Sequence, residues 1–178
     1  MKMKGKTQTE HVLIFMKVLA LIAYVSFAIK AVILLYFYIS SLWNPENAKN
    51  FYIGLNLLQL RQENFTLYSV LVASEFAMSI LKAIVWWMVV QLINKIKLTN
   101  PFTVKVAYKL ERISYLLFAV WVLAVTFRGL AAGLGELAGN LNDSWNHGQF
   151  LFMAGLVFII SQIFKRGVEL QLENDLTV

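Results

Sequence analysis

From Thr66 to Ile93 the chain reads TLYSVLVASEFAMSILKAIVWWMVVQLI, an apolar run broken only by the charges Glu75 and Lys82. A helix needs about 20 predominantly apolar residues to cross a hydrocarbon core about 30 Å thick, and this run exceeds that length. It is therefore read as a membrane-spanning helix. Glu75, Ser79 and Lys82 recur at i, i+4 and i+7, and Trp86 extends the series, so the polar groups share one face. That face is expected to point into a helical bundle.

Three further stretches meet the same length requirement: Val12 to Leu42, Ile113 to Gly133 and Gly148 to Phe164. Each ends in a polar, charged or Gly/Asn-rich segment. The fold class is all-α, a polytopic membrane protein with four transmembrane helices in an antiparallel bundle and a short tail over residues 165–178. The first span is longer than a bilayer requires, so it must tilt or project. Lys17 near its inner end can snorkel. Composition agrees with this reading. Of 178 residues, 59% are hydrophobic and 15% charged, with mean hydropathy +0.64, whereas globular chains average about 45–50% and about 25%. Lys2, Lys4 and Lys6 before an apolar run resemble a secretory signal, yet the run is too long and lacks a small-residue cleavage pattern, so the first helix is expected to be retained.

Lys and Arg accumulate in cytoplasmic connections. With the N-terminus inside, the inner side holds Lys2, Lys4, Lys6, Lys95, Lys97, Lys105, Lys109, Arg112, Lys165 and Arg166, against Lys49 and Arg61 outside. Both termini are then cytoplasmic. The net charge of +6 is a topology signal, and direct nucleic-acid binding is not expected. The first outer loop, Asn44 to Asn64, carries Phe51, Tyr52, Ile53, Leu55, Leu57, Leu58 and Leu60. Such a loop is too apolar to extend into water, and a short interfacial helix or re-entrant cap is expected, anchored by Trp43. The second, Glu136 to His147, reads as an exposed turn region.

Lys30, Glu75, Lys82 and Arg128 are ionisable residues within the spans. A charge at the bilayer centre costs about 2.5–3.5 kcal/mol on insertion scales, so such groups face the bundle interior and find partners. Counting depth along the helices puts Lys30 within roughly one turn of Glu75, with Arg128 as a second partner. Ser26 and Lys30 form an i, i+4 pair on the first helix. Two readings stay open: an interhelical ion pair that fixes helix rotation, and a polar cavity at Lys30, Glu75, Ser79, Lys82 and Arg128 with surplus positive charge for an anionic ligand or lipid headgroup. Gly129 and Gly133, and Ala73 and Ala77, have the spacing of close helix crossings within the chain.

Catalytic patterns are missing. Zero Cys and two His exclude thiol chemistry and Cys-ligated metals, and His11 lies across the membrane from Asp143 and His147, so no three-ligand metal site assembles. No enzyme activity, metal or cofactor is expected.

After the second span comes Asn100-Pro101-Phe102-Thr103, a turn in which Pro101 can open a helix at its first position. Phe102, Val106 and Leu110 then share one face, with Lys105 and Lys109 beside them. Beyond the fourth span, Val168, Leu172 and Leu176 make an apolar stripe flanked by Glu169, Glu173 and Asp175. Tail and loop are candidates for a cytoplasmic docking surface, with Pro101, Phe102, Glu169, Glu173, Asn174, Asp175 and Leu176 as its residues.

Those segments also carry a resemblance. Asn100-Pro101-Phe102-Thr103, Leu110-Glu111-Arg112-Ile113, Gly167-Val168-Glu169-Leu170-Gln171 and Glu173-Asn174-Asp175-Leu176-Thr177-Val178 resemble the bacterial YoaS-like membrane family, known as domain of unknown function 2975. The resemblance implies a four-span protein of the bacterial inner membrane, often encoded beside a small Cro/CI-type helix-turn-helix regulator. It thereby implies a cytoplasmic protein partner besides membrane lipids, and it assigns no catalytic residues. A non-enzymatic regulator or sensor is the leading functional expectation. The alternative is a small-molecule, ion or lipid carrier using the charged interior, against which the absence of an internal repeat counts. Oligomeric state stays open at this level.

Overall fold

In a computed structural model, which describes residues 8–49, 57–96, 101–132 and 148–175, the chain is almost wholly helical. The elements are α1 (Gln8–Trp43), a 3-10 turn (Pro45–Ala48), α2 (Leu58–Glu63), α3 (Phe65–Ile93), α4 (Val104–Ala132) and α5 (Gly148–Asp175). Helices α1, α3, α4 and α5 are each long and apolar enough to cross a membrane. Their outer faces stay apolar and exposed, with Val32 and Tyr36 at 67% and Phe152 at 69%, a surface suited to lipid as solvent.

Local chemistry sets the boundaries. Helix α1 stops before Pro45, and Asn44 Oδ1 accepts from the Glu46 N–H at 3.1 Å. Asn64 ends α2 in an extended conformation and caps α3, its Oδ1 accepting from the Leu67 N–H at 3.0 Å. Helix α4 begins at Val104, where Thr103 Oγ1 accepts from the Val106 N–H at 3.4 Å. Pro101 therefore does not open this helix, because the hydroxyl two residues later supplies the cap that proline lacks. The extension expected ahead of the third span is continuous with it, and the tail is continuous with the fourth: α5 runs unbroken past Phe164 to Asp175. Leu176, Thr177 and Val178 lie outside the described residues, as do Gly133 and the second outer loop.

Helix α1 packs on α3, α3 on α4, and α4 on α5, with the first and last of these contacts the most extensive. Along the α1–α3 seam Tyr24 meets Trp87, Lys30 meets Glu75, Tyr38 meets Ser69 and Ser41 meets Tyr68. Two apolar clusters result. The cap-end cluster holds Leu34, Leu71, Met78 and Ala124 together with Ala48, Leu57 and Leu60 of the connecting segment. The tail-end cluster holds Val85, Met88, Val106, Ile113, Leu117 and Ala154. On α3 the sequence between Met78 and Val85 carries Ser79 and Lys82, so a polar layer separates the clusters.

The apolar first loop is a cap in its described parts. The Leu57 N–H donates to the Ala48 carbonyl at 2.9 Å, and Ala48, Leu57 and Leu60 are fully buried. Phe51, Tyr52, Ile53 and Leu55 lie outside the described residues. Trp43, the expected anchor, is 87% exposed at the end of α1.

Candidate functional site

The polar stripe of α3 turns inward. Ser79 is buried and donates to the Glu75 carbonyl at 2.9 Å, while Glu75, Lys82 and Trp86 are half-buried. Lys30 Nζ lies 3.2 Å from Glu75 Oε2, with the two side chains 24% and 18% exposed. The depth count along the two helices thus brings together the pair it names. Lys82 Nζ lies 5.8 Å from the ring centre of Phe27 and 5.3 Å from that of Phe150. At such distances ring faces attract a cation, more strongly where water is excluded. Phe27 belongs to α1 and Phe150 to α5, so three helices converge on this lysine, which also feels Lys30 and Glu75 electrostatically. The arrangement places one carboxylate among two ammonium groups in a largely apolar interior.

Two other polar residues of the spans are exposed. Arg128 occupies an exposed position on α4. Ser26 is exposed too and donates to the Ile22 carbonyl of its own helix at 2.9 Å, so the Ser26–Lys30 pair is not an inward polar stripe. Of the small residues, Ala77 is half-buried and Gly133 lies outside the described residues. A Cβ on Gly129 would meet nothing within 4 Å, and Ala73 is exposed. Among the described residues no three His, Asp or Glu side chains are grouped to hold a metal ion.

At the tail end, α4 and α5 are joined by groups that the sequence names only in part. Phe102 packs on Phe164 with ring centres 5.1 Å apart. A Cβ on Gly167 would stand 2.6 Å from Phe102 Cδ1, so the ring occupies space that only glycine leaves open. Lys165 Nζ lies 2.7 Å from Glu111 Oε1, which also accepts from the Tyr115 hydroxyl at 3.4 Å. Lys109 Nζ donates to Gln91 Oε1 at 2.5 Å, tying α4 to α3. Lys165 thus bridges two helices as well as ending an apolar run. Its partner Glu111 sits 54 positions away, a separation at which sequence carries no pairing signal.

Phe102, Val106 and Leu110, read as sharing one face, are all taken up in packing within the chain. Val106 is 1% exposed within the tail-end core, Leu110 packs against that core, and Phe102 is taken by Phe164 and Gly167. Pro101 is half-buried beside it. Leu170 and Leu172 are instead 47% and 58% exposed, next to exposed Glu169, Glu173 and Asn174. Arg166 holds Glu169 at 2.8 Å on the outer side of the same helix.

The cap end contains a hydroxyl network that sequence reasoning missed. Ser41 Oγ and Tyr68 Oη lie 2.8 Å apart in the core, the Tyr38 hydroxyl donates to Ser69 Oγ at 3.0 Å, and Asn47 Nδ2 donates to Ser40 Oγ at 2.6 Å. Hydroxyls spread through two apolar runs were the available signal. Their pairing needed the helix register.

A family model described as a protein of unknown function, DUF2975, matches residues 44–178. No match was found among curated proteins or solved structures.

Proposed function

The chain belongs to the DUF2975 family, and we propose that it is a non-enzymatic membrane regulator whose cytoplasmic end holds a small helix-turn-helix regulator at the bacterial inner membrane. The single observation that carries this reading is the tail end of α5. Its 28 residues make a helix of about 42 Å at about 1.5 Å per residue, about 12 Å more than the hydrocarbon core requires. About eight residues therefore project into water. They leave Leu170 and Leu172 exposed on opposite sides of the helix, and Leu172, one turn beyond half-buried Val168 and beside Glu169 and Glu173, offers an apolar contact suited to a groove with basic edges. DNA-binding proteins carry basic surfaces, which supplies the charge complementarity.

This reading places both termini in the cytoplasm and the four spans antiparallel. It is supported by the basic residues gathered at the tail end and by the α1–α3 seam, where partners of rising number on α1 have falling numbers on α3. The native chain has no cysteine, so single introduced thiols report cleanly. Glu46→Cys should react with an impermeant reagent in intact cells and Thr103→Cys should not. Labelling at Thr103→Cys would reject the topology.

Docking is tested by co-expressing the adjacent regulator with the full-length protein and with a version ending at Gln171. Recovery only with the full-length chain is expected. Equal recovery with both rejects the tail as the docking element, and recovery with neither rejects the regulator reading. A second reading, anion binding in the charged layer, is favoured by the position of Lys82 between Phe27 and Phe150. Under it, stabilisation by small organic anions would disappear in Lys82→Met.

A further inference from the structure

The apolar run of α3 closes at Ile93 and that of α4 opens at Ile113, so the residues flanking these limits stand at the level where a bilayer presents its headgroups. Lys95 lies just past the first limit, and Lys105, Lys109 and Arg112 lie just before the second. The last three recur at i, i+4 and i+7 and share one face of α4. The Lys95 N–H donates to the Leu92 carbonyl at 2.9 Å, which holds Lys95 against the end of α3. Lys109 Nζ donates to Gln91 Oε1 at 2.5 Å, and this bond ties the two helices together at one level. The ammonium held there feels the positive charges of Lys95 and Arg112. Cations from both helices therefore meet at one corner.

Two other cations at this end are matched by acids: Lys165 lies 2.7 Å from Glu111 and Arg166 lies 2.8 Å from Glu169. Glu111 is the chain neighbour of Arg112, yet its carboxylate is engaged by Lys165 and the Tyr115 hydroxyl. Among the described residues no carboxylate pairs with Lys95, Lys109 or Arg112. Like charges brought together repel one another, and an anion held between them relieves that repulsion. Lys109 is half-buried, whereas Lys95 and Arg112 are exposed, so the outer two can be reached from the headgroup region.

From this acid-free corner between two helices we propose a site for the headgroup of an anionic phospholipid, its phosphate oxygens accepting from Arg112 and Lys95 while Lys109 supplies fixed positive charge behind them. A guanidinium offers paired N–H donors that match phosphate geometry, and basic pockets between membrane helices are a recurring form of headgroup site. Diffuse attraction to an anionic surface would act on every cation at this end of the molecule. The corner instead singles out the cations that no carboxylate holds. The site needs the spans alone and stands independently of terminus orientation and of docking at α5.

The test is native mass spectrometry of the full chain in mild detergent, titrated with phosphatidylglycerol and, for comparison, phosphatidylcholine. One retained phosphatidylglycerol is expected for the wild type, with phosphatidylcholine held at least fivefold more weakly. Arg112→Gln and Lys95→Gln, both at exposed positions, should each weaken phosphatidylglycerol retention about fivefold with unchanged helical circular dichroism. The double variant should lose at least tenfold, and Arg112→Lys should recover part of the single-variant loss. Arg166→Gln, which removes a charge already matched by Glu169, should change retention less than twofold. Equal retention of the two lipids, wild-type retention by the double variant, or a loss in Arg166→Gln as large as in Arg112→Gln would overturn the proposal. Displacement of the lipid by millimolar inorganic phosphate would also overturn it, identifying a free-anion site instead.

Discussion

The two ends of the bundle solve the same problem in opposite ways. At the cap end, helices α1 and α3 are joined by a segment that folds back, and Ala48, Leu57 and Leu60 fill the space over Leu34, Tyr68 and Leu71. At the tail end the helices close on one another through Phe102, Phe164 and the Lys165–Glu111 pair, while α5 continues outward with Leu170 and Leu172 exposed. Apolar side chains beyond a membrane need a cover. The cap end carries its own, and the tail end leaves Leu170 and Leu172 exposed, the surface on which the proposed docking rests.

The Lys30–Glu75 ion pair gives the largest expected effect. Removing one partner of a buried ion pair typically costs about 3–5 kcal/mol because the other charge is stranded, so Glu75→Ala should lower the thermal midpoint in detergent markedly. Replacing both partners, as Lys30→Met with Glu75→Leu, should recover much of that loss. A single mutant as stable as wild type would show that the two ends are held together without this pair.

Truncating the cap comes next. Leu60 is 1% exposed, and emptying such a site costs about 2–5 kcal/mol. Leu60→Ala should therefore reduce stability by about 3 kcal/mol in a denaturant or thermal series. A loss under about 0.5 kcal/mol, the usual size for surface substitutions, would mean that the segment is a passive loop.

At the tail end, Gly167→Ala puts a methyl group 2.6 Å from Phe102 Cδ1 and forces the ring to move. Overpacking of this kind costs about 1–3 kcal/mol, and the lower value is expected because Phe102 lies outside a helix. Increased fluorescence-quencher access to a Trp probe at position 102 in the same variant would report the displaced ring.

The smallest stability effect belongs to the exposed tail. Leu172→Ala should change stability by no more than about 0.5 kcal/mol, while regulator recovery falls severalfold. If stability falls as far as it does for Leu60→Ala, the tail packs within this molecule and the contrast between the ends disappears.

Much of this was legible in residue order because lipid imposes a strict length rule. Four apolar stretches identify four spans, and the boundaries of α3 match Thr66 to Ile93 within one residue. The inward stripe at Glu75, Ser79 and Lys82 follows from helical periodicity alone, and so does the depth match with Lys30. Segment 44–64 was recognisable as a cap from its leucines, since an apolar loop has to be covered.

Other features needed three dimensions because they depend on which helices touch and at what rotation. Periodicity puts Ser26 and Lys30 on one face, yet the packing of α1 on α3 turns Lys30 toward Glu75 and leaves Ser26 exposed. The spacing of Gly129 and Gly133 suggests a close crossing, but among the described residues a Cβ on Gly129 would meet nothing within 4 Å. The glycine that does admit a close contact is Gly167, and its partner Phe102 is distant in sequence. Composition and periodicity determined the solvent of this protein, its spans and its buried charges, because those follow from transfer energies of single residues along one helix. The tertiary structure decided that Lys82 sits between Phe27 and Phe150 and that Glu111 holds Lys165, because each depends on the relative rotation of helices whose apolar faces allow more than one packing.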